Sequence, residues 1–161
     1  MNNIRINNLV RVSKRTARSM YKMNFTIELI PRLINPRGMW MQGHSTNRTH
    51  EEERDFDHII NAYEYYNCNN ETGLYTAYYV DEGDLLRYRI NKRGFNVVYW
   101  NRTKDSLTYG VYRNSTGAGD LVTYSKGGRL RRGEGLESVN GDILDLIEEF
   151  LRVGMKEVGH Q

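Results

Sequence analysis

Between residues 74 and 125 the chain reads LYTAYYVDEGDLLRYRINKRGFNVVYWNRTKDSLTYGVYRNSTGAGDLVTYS, with short apolar runs separated by turn residues. The turn residues are mainly Gly, Asn and Asp, which adopt the backbone conformations that tight connections need. Because short connections join antiparallel neighbours, the stretch predicts a five-stranded meander. The predicted strands are Leu74–Val80, Leu85–Ile90, Phe95–Asn101, Leu107–Arg113 and Leu121–Ser125.

Two amphipathic helices are predicted on either side of this stretch. Thr49 and Glu52 match a capping box, and the apolar residues that follow have helical spacing, which predicts a helix over residues 50–67. A second helix begins at Asn140 or Asp142 and carries Ile143, Leu146, Ile147, Phe150 and Leu151 on one face. One face of the meander offers both helices a partner. The predicted fold class is therefore α+β, an antiparallel β-meander with two amphipathic helices packed on one face.

The N-terminal residues 1–24 are basic and polar, and we predict them to be a segment separate from a single α+β domain at residues 25–161. Ser13 is a candidate cap for a short helix that ends at Tyr21, and a strand followed by a basic arm is the alternative. The alternation of Phe25–Ile30 predicts a strand that Pro31 stops, and Met39–Met41 is predicted to form another.

The broad class follows from length and composition. The chain has 161 residues and 39% hydrophobic residues, no run of 18 apolar residues and no apolar leader segment. Cys68 is the only cysteine, which excludes an internal disulfide and fits a reducing compartment. We therefore expect a cytoplasmic protein that does not associate with membranes.

The net charge of +3 is strongly segregated along the chain. It is +8 over residues 1–50, −9 over 51–85, +9 over 86–133 and −5 over 134–161. Blocks of this kind either neutralise each other across the fold or form separate patches that attract partners, and both alternatives stay open.

No catalytic or metal-binding motif emerges from the sequence. The acid–histidine cluster between His50 and His58 fails as a metal site, because these two histidines are about 12 Å apart along a helix. The glycine-rich segment Lys126–Arg132 lacks the spacing of nucleotide-binding loops and is interpreted as a flexible hairpin loop, with a backbone nest for an anion as the alternative. We predict that the chain is not an enzyme and needs no metal and no cofactor.

Basic and aromatic residues alternate along the meander, and this pattern is typical of two functions, nucleic-acid binding and protein binding. Bases of nucleic acids stack on such rings while cations hold phosphates, and Tyr, Trp and Arg also dominate the hot spots of protein interfaces. Alternation places Tyr99 and Tyr109 towards the helices and Trp100 and Tyr112 on the opposite face. Our candidate partner-binding residues are Trp100, Arg102, Tyr112 and Arg113.

The 16 asparagines and 12 tyrosines indicate an AT-rich genome, because both residues use A/T-rich codons. In size, basicity, single-domain character and its one unpaired cysteine, the chain resembles the Pin-type phage inhibitors of the host ATP-dependent Lon protease. The resemblance concerns overall character across the whole chain, and no functional residue is carried over from it.

This resemblance implies a phage protein of the host cytoplasm that binds Lon and blocks the degradation of phage proteins without doing chemistry. The implied partner is a host protein, and a homodimer stays open. The alternative function is a single-stranded or non-specific nucleic-acid-binding protein that uses the basic N-terminal segment and the basic-aromatic sheet.

Overall fold

The computed structural model describes residues 8–33, 52–67 and 74–159. The chain divides into two compact units, Met1–Glu82 and Gly83–Gln161. The predicted boundary after residue 24 stays a prediction. The described part of residues 1–24 forms a strand and a helix of the first unit.

The first unit contains a three-stranded sheet and two helices. In chain order these are β1 (Leu9–Val12), α1 (Lys14–Lys22), β2 (Glu28–Leu33), α2 (Glu52–Asn67) and β3 (Leu74–Asp81). The strand order is β1-β3-β2, and both pairings are antiparallel. Ser13 caps α1, since its hydroxyl accepts a hydrogen bond from the amide of Thr16 at 3.1 Å. Of the two alternatives for this segment, the short helix after Ser13 is therefore confirmed, and a strand precedes it.

Aromatic rings join the helices of the first unit to its sheet. Phe56 of α2 lies 5.4 Å from the ring of Tyr21 in α1 and 6.3 Å from that of Tyr78 in β3. The Tyr63 hydroxyl donates to the carbonyl of Leu29, and the Thr76 hydroxyl donates to Glu64. These contacts fix α2 against α1 and against both strands.

The second unit is a four-stranded antiparallel meander with helices before and after it. Its elements are α3 (Glu82–Lys92), β4 (Phe95–Arg102), β5 (Ser106–Arg113), β6 (Gly119–Ser125), β7 (Arg129–Arg132), a 3-10 turn (Glu134–Leu136) and α4 (Gly141–Gly159). The strand order is β4-β5-β6-β7, so β4 and β7 form the sheet edges. The α+β class and the antiparallel meander are confirmed, but the meander has four strands and not five, because the predicted strand Leu74–Val80 is β3 of the other sheet.

One face of this meander forms the core of the second unit. Phe150 of α4 packs edge-to-face on Tyr109 of β5, with ring centroids 5.0 Å apart. Residues of α3, of all four strands and of α4 complete the cluster, including Leu86, Ile90, Phe95, Val97, Leu107, Val111, Val122, Tyr124, Leu130, Ile143, Ile147 and Leu151. The second helix that contributes to this core is therefore α3, whereas α2 packs within the first unit.

The predicted strand Leu85–Ile90 is wrong, because these residues belong to α3. Leu86 and Ile90 are four residues apart, so they would point to the same face of a strand. The same spacing also places them on one side of a helix. Both are buried in α3. Gly94, with a φ of 96°, stands just past the helix end, where a left-handed residue commonly terminates a helix.

Two further predictions about strands need correction. Pro31 does not stop its strand, because β2 is an edge strand and an edge position tolerates a missing N–H donor. Most of the glycine-rich segment predicted as a loop is the β6–β7 hairpin, with β7 paired to β6 from Ser125↔Arg129 to Val122↔Arg132. The predicted strand Met39–Met41 lies outside the described residues.

Neighbouring isoleucines of α2 give a matched test of its buried face. Ile60 is 1% exposed and Ile59 is 41% exposed, although the helical spacing placed both on the apolar face. We expect Ile60→Ala to lower the free energy of unfolding by about 2–5 kcal/mol, because it leaves a cavity. Ile59→Ala should cost less than about 1 kcal/mol. Urea unfolding of both variants measures the difference, and equal losses would contradict the described orientation of α2.

The carboxylate of Asp120 connects the 3-10 turn to the meander by hydrogen bonds. One oxygen of Asp120 in β6 accepts from the amide of Gly135 at 3.0 Å, and the other accepts from the amide of Leu121 at 2.7 Å. These two backbone hydrogen bonds favour the charged form and lower the pKa of Asp120 below its ordinary value of 3.8. Gly133 borders the same carboxylate, where a Cβ atom would collide with it.

This hydrogen bonding predicts a pH-dependent contribution to stability. Because the folded-state pKa of Asp120 is lowered, its contribution is complete above 3.8 and is lost as the pH falls through the folded-state value. Asp120→Asn should lower stability at neutral pH and flatten the loss below 3.8, since an amide nitrogen cannot accept from a backbone N–H. Melting curves against pH measure this. The control is Asp145→Asn on exposed α4 surface, and an identical pH profile for the two variants would disprove the role of Asp120.

Candidate functional site

The four predicted partner-binding residues lie towards opposite ends of the β4–β5 hairpin. Arg102 pairs with Leu107 beside the connecting turn, and Arg113 pairs with Phe95 at the far end. At about 3.3 Å per strand residue, the two arginines are roughly 20 Å apart. Trp100 lies near the Arg102 end and Tyr112 near the Arg113 end, so the four residues form two pairs and not one patch.

The two arginines and Tyr112 contact the fold itself. The Nη2 of Arg102 donates to the carbonyl oxygen of Gly154 in α4 at 3.2 Å. The guanidinium of Arg113 lies over the ring of buried Phe95, 5.0 Å from its centroid. The half-buried Tyr112 lies across Gly110, where a Cβ atom would collide with its ring. Only Trp100 of the four is largely exposed.

Three consecutive large side chains of β4 are exposed, and a β-bulge lies at the third of them. Tyr99 pairs with Tyr109 and Asn101 pairs with Thr108, so Trp100 is an extra residue between two regular pairs. Val98 is 46% exposed, Tyr99 56% and Trp100 60%. We call these three residues the aromatic edge, because β4 is an edge strand of the sheet.

One member of the aromatic edge, Tyr99, is held by a stack of rings that reaches the core. Tyr99 packs edge-to-face on Tyr109 at 5.8 Å, and Tyr109 packs edge-to-face on Phe150 at 5.0 Å. This geometry is the favourable one for aromatic pairs. A side chain held in this way loses little conformational entropy when a partner binds, so Tyr99 is preorganised.

Tyr99 and Val98 were not among the predicted site residues. Alternation predicts that Tyr99 lies on the helix-facing side of the sheet, and its ring contact with Tyr109 agrees with this. Tyr99 is nevertheless 56% exposed there, in an edge strand of the sheet. The available signal is the run Val97-Val98-Tyr99-Trp100, since a half-buried strand alternates and cannot bury four consecutive apolar side chains on one face.

Comparison of the chain with protein-family models, with curated proteins and with solved structures finds no match. Within residues 8–33, 52–67 and 74–159, no group of three His, Cys, Asp or Glu side chains is arranged to hold a metal ion. No helix in the same ranges is long and apolar enough to cross a membrane.

Only part of the acid–histidine cluster lies within the described residues. His50 and Glu51 lie outside the described residues, and His58 is exposed on α2. Asp57 forms an ion pair with Arg18 of α1 at 2.7 Å, with a second contact from Nε at 3.3 Å. Asp57 thus joins two helices of the first unit.

Proposed function

We propose that this protein is a binding module that docks a host protein through the aromatic edge. The supporting observation is the run of three exposed apolar side chains, Val98, Tyr99 and Trp100, on an edge strand. Large apolar side chains that cluster on a protein surface are candidates for an interaction site. Tyr and Trp are also the residues that contribute most to binding energy when a partner covers them.

The partner that we propose is a large host assembly in the host cytoplasm, with the ATP-dependent Lon protease as the candidate. Its support is the resemblance of the chain to Pin-type inhibitors, together with the exposed side chains of the aromatic edge. Inhibition by binding needs no catalytic group in the inhibitor. The proposed action is therefore occupation of a surface that the protease needs, without chemistry by this chain.

The fixed rings give this surface the properties of an interface centre. Tyr99 already contacts Tyr109, so a partner would cover the remaining face of a ring that has a fixed position. Trp100 adds the largest side chain of the set. Truncating one hot-spot residue typically costs 2 kcal/mol or more, which is about thirtyfold in affinity.

Trp100→Ala tests the proposal directly. We expect inhibition of purified Lon to weaken about thirtyfold, because the variant removes the central anchor. Tyr66→Ala is the matched control, since Tyr66 is 78% exposed on α2 in the other unit and lies outside the aromatic edge. Inhibition constants from a peptidase assay, with melting temperatures of each variant, give the comparison. Unchanged inhibition by a folded Trp100→Ala protein would refute the proposed surface.

Nucleic-acid binding is the second candidate, and the exposed arginines of β7 favour it. Arg129, Arg131 and Arg132 are all exposed on the opposite edge strand of the same sheet. Phosphate contacts of this kind make affinity fall by about a thousandfold or more between 50 and 200 mM salt. Titration with single-stranded DNA at both salts therefore distinguishes the candidates. Tight, salt-dependent DNA binding without any effect on Lon would replace the first proposal by the second.

A further inference from the structure

A basic cavity lies between three elements of the second unit. Its volume is about 330 Å³, and three places in the chain line it. The β4–β5 turn contributes Thr103 and Lys104, the end of β6 contributes Tyr124 and Lys126, and α4 contributes Arg152 and Lys156 together with a methionine. We call this cavity the basic pocket.

The charge of the basic pocket is unbalanced. Four of its lining residues are cations, and none of the described lining residues is acidic. Glu149, one turn earlier on α4, pairs with Arg152 at 2.7 Å and leaves the three lysines around the opening. Like charges that converge on one cavity repel each other, and a bound anion removes that repulsion.

The walls of the basic pocket are fixed by hydrogen bonds. In the β4–β5 turn, the Thr103 hydroxyl is 2.9 Å from that of Ser106 and accepts from the amide of Asp105 at 3.2 Å. The amide of Lys126 donates to the carbonyl of Asp105 at 2.7 Å, which joins the end of β6 to this turn. The cations are therefore carried on a backbone that needs no rearrangement to bind a ligand.

The third wall of the basic pocket is α4, which packs closely on the sheet. Gly154 lies so near Leu107 that a Cβ atom at this position would be 2.8 Å from the leucine side chain. Arg102 donates to the carbonyl of Gly154 on the same turn. This contact holds the last described turns of α4, and with them Arg152 and Lys156, beside the β4–β5 turn.

We propose that the basic pocket binds the phosphate chain of a nucleoside di- or triphosphate. A volume of about 330 Å³ is at the lower end of the range for small-molecule sites, and its lining cations match a compact anion with several charges. In nucleic acids a sugar separates consecutive phosphates, so a cluster of cations around one cavity fits contiguous phosphates better. The proposal goes beyond the partner-binding function and uses none of the aromatic edge.

Isothermal titration of the full chain tests the proposal at about 150 mM salt. The probes are sodium tripolyphosphate, ATP, adenosine and a ten-residue oligothymidylate. The variant is Lys126→Gln/Lys156→Gln, and the control is Arg89→Gln/Lys92→Gln, which removes the same charge from two exposed positions of α3 that do not line the pocket. Melting curves establish that both double variants fold, and sodium sulfate at matched ionic strength measures non-specific anion binding.

We expect tripolyphosphate and ATP to bind the wild-type chain with similar affinity and adenosine not to bind. The pocket variant should lose at least about tenfold in affinity for both phosphates, while the control variant stays within about twofold. Equal losses in the two variants, or equal binding of sulfate, would show diffuse charge and overturn the proposal. Binding of ATP or oligothymidylate without binding of tripolyphosphate would overturn it as well.

Discussion

Phe150 packs its ring against Tyr109 at the centre of the meander, and the other features of the second unit depend on this contact between α4 and the sheet. On one side, Tyr109 supports Tyr99 and thereby the aromatic edge. One turn further along α4, Gly154 allows the helix to approach Leu107 closely, and the basic pocket opens beside it. A single helix–sheet contact therefore positions both candidate binding surfaces.

Much of the fold could be predicted from local patterns. The helical spacing of apolar residues predicted α2, although the predicted cap Thr49 lies outside the described residues. The apolar face around Ile147 predicted α4, and the turn residues predicted the strands from Phe95 to Ser125. The misassigned α3 shows the limit of such patterns, because Leu86 and Ile90 satisfy both periodicities and only packing distinguishes them. Pro31 shows the same limit, since its place in β2 depends on an edge position that the topology decides.

The candidate site was less predictable than the fold. Trp100 could be chosen from the sequence, because a large aromatic residue stood on the predicted outer face. Tyr99 could not, because alternation assigns it to the helix-facing side, and its exposure there depends on β4 being an edge of the sheet. The basic pocket could not be predicted either. Lys104, Lys126 and Lys156 come from three separate elements, and no spacing in the sequence brings them together.

The segregated charge is used in two ways by the described residues. Arg18 and Asp57 pair across the first basic and acidic blocks, and Arg93 approaches Asp142 at 3.9 Å across the other two. Exposed pairs of this kind contribute about 0–1 kcal/mol each, so they orient elements more than they stabilise them. Other cations, such as Lys104 and Lys126, converge at the basic pocket instead. Both alternatives for the charged blocks, neutralisation of one block by another and formation of a separate charged patch, therefore occur among the described residues.

The extra residue at Trp100 has a consequence for how another chain can approach β4. An edge strand offers unpaired N–H and C=O groups at regular intervals, and a second strand can add to them along its length. A bulge breaks that interval and increases the local twist, so an incoming straight strand loses its register at Trp100. The irregularity at Trp100 therefore discourages indiscriminate strand addition there. Contact with this part of β4 is left mainly to side chains, and shape rather than backbone pairing selects what binds.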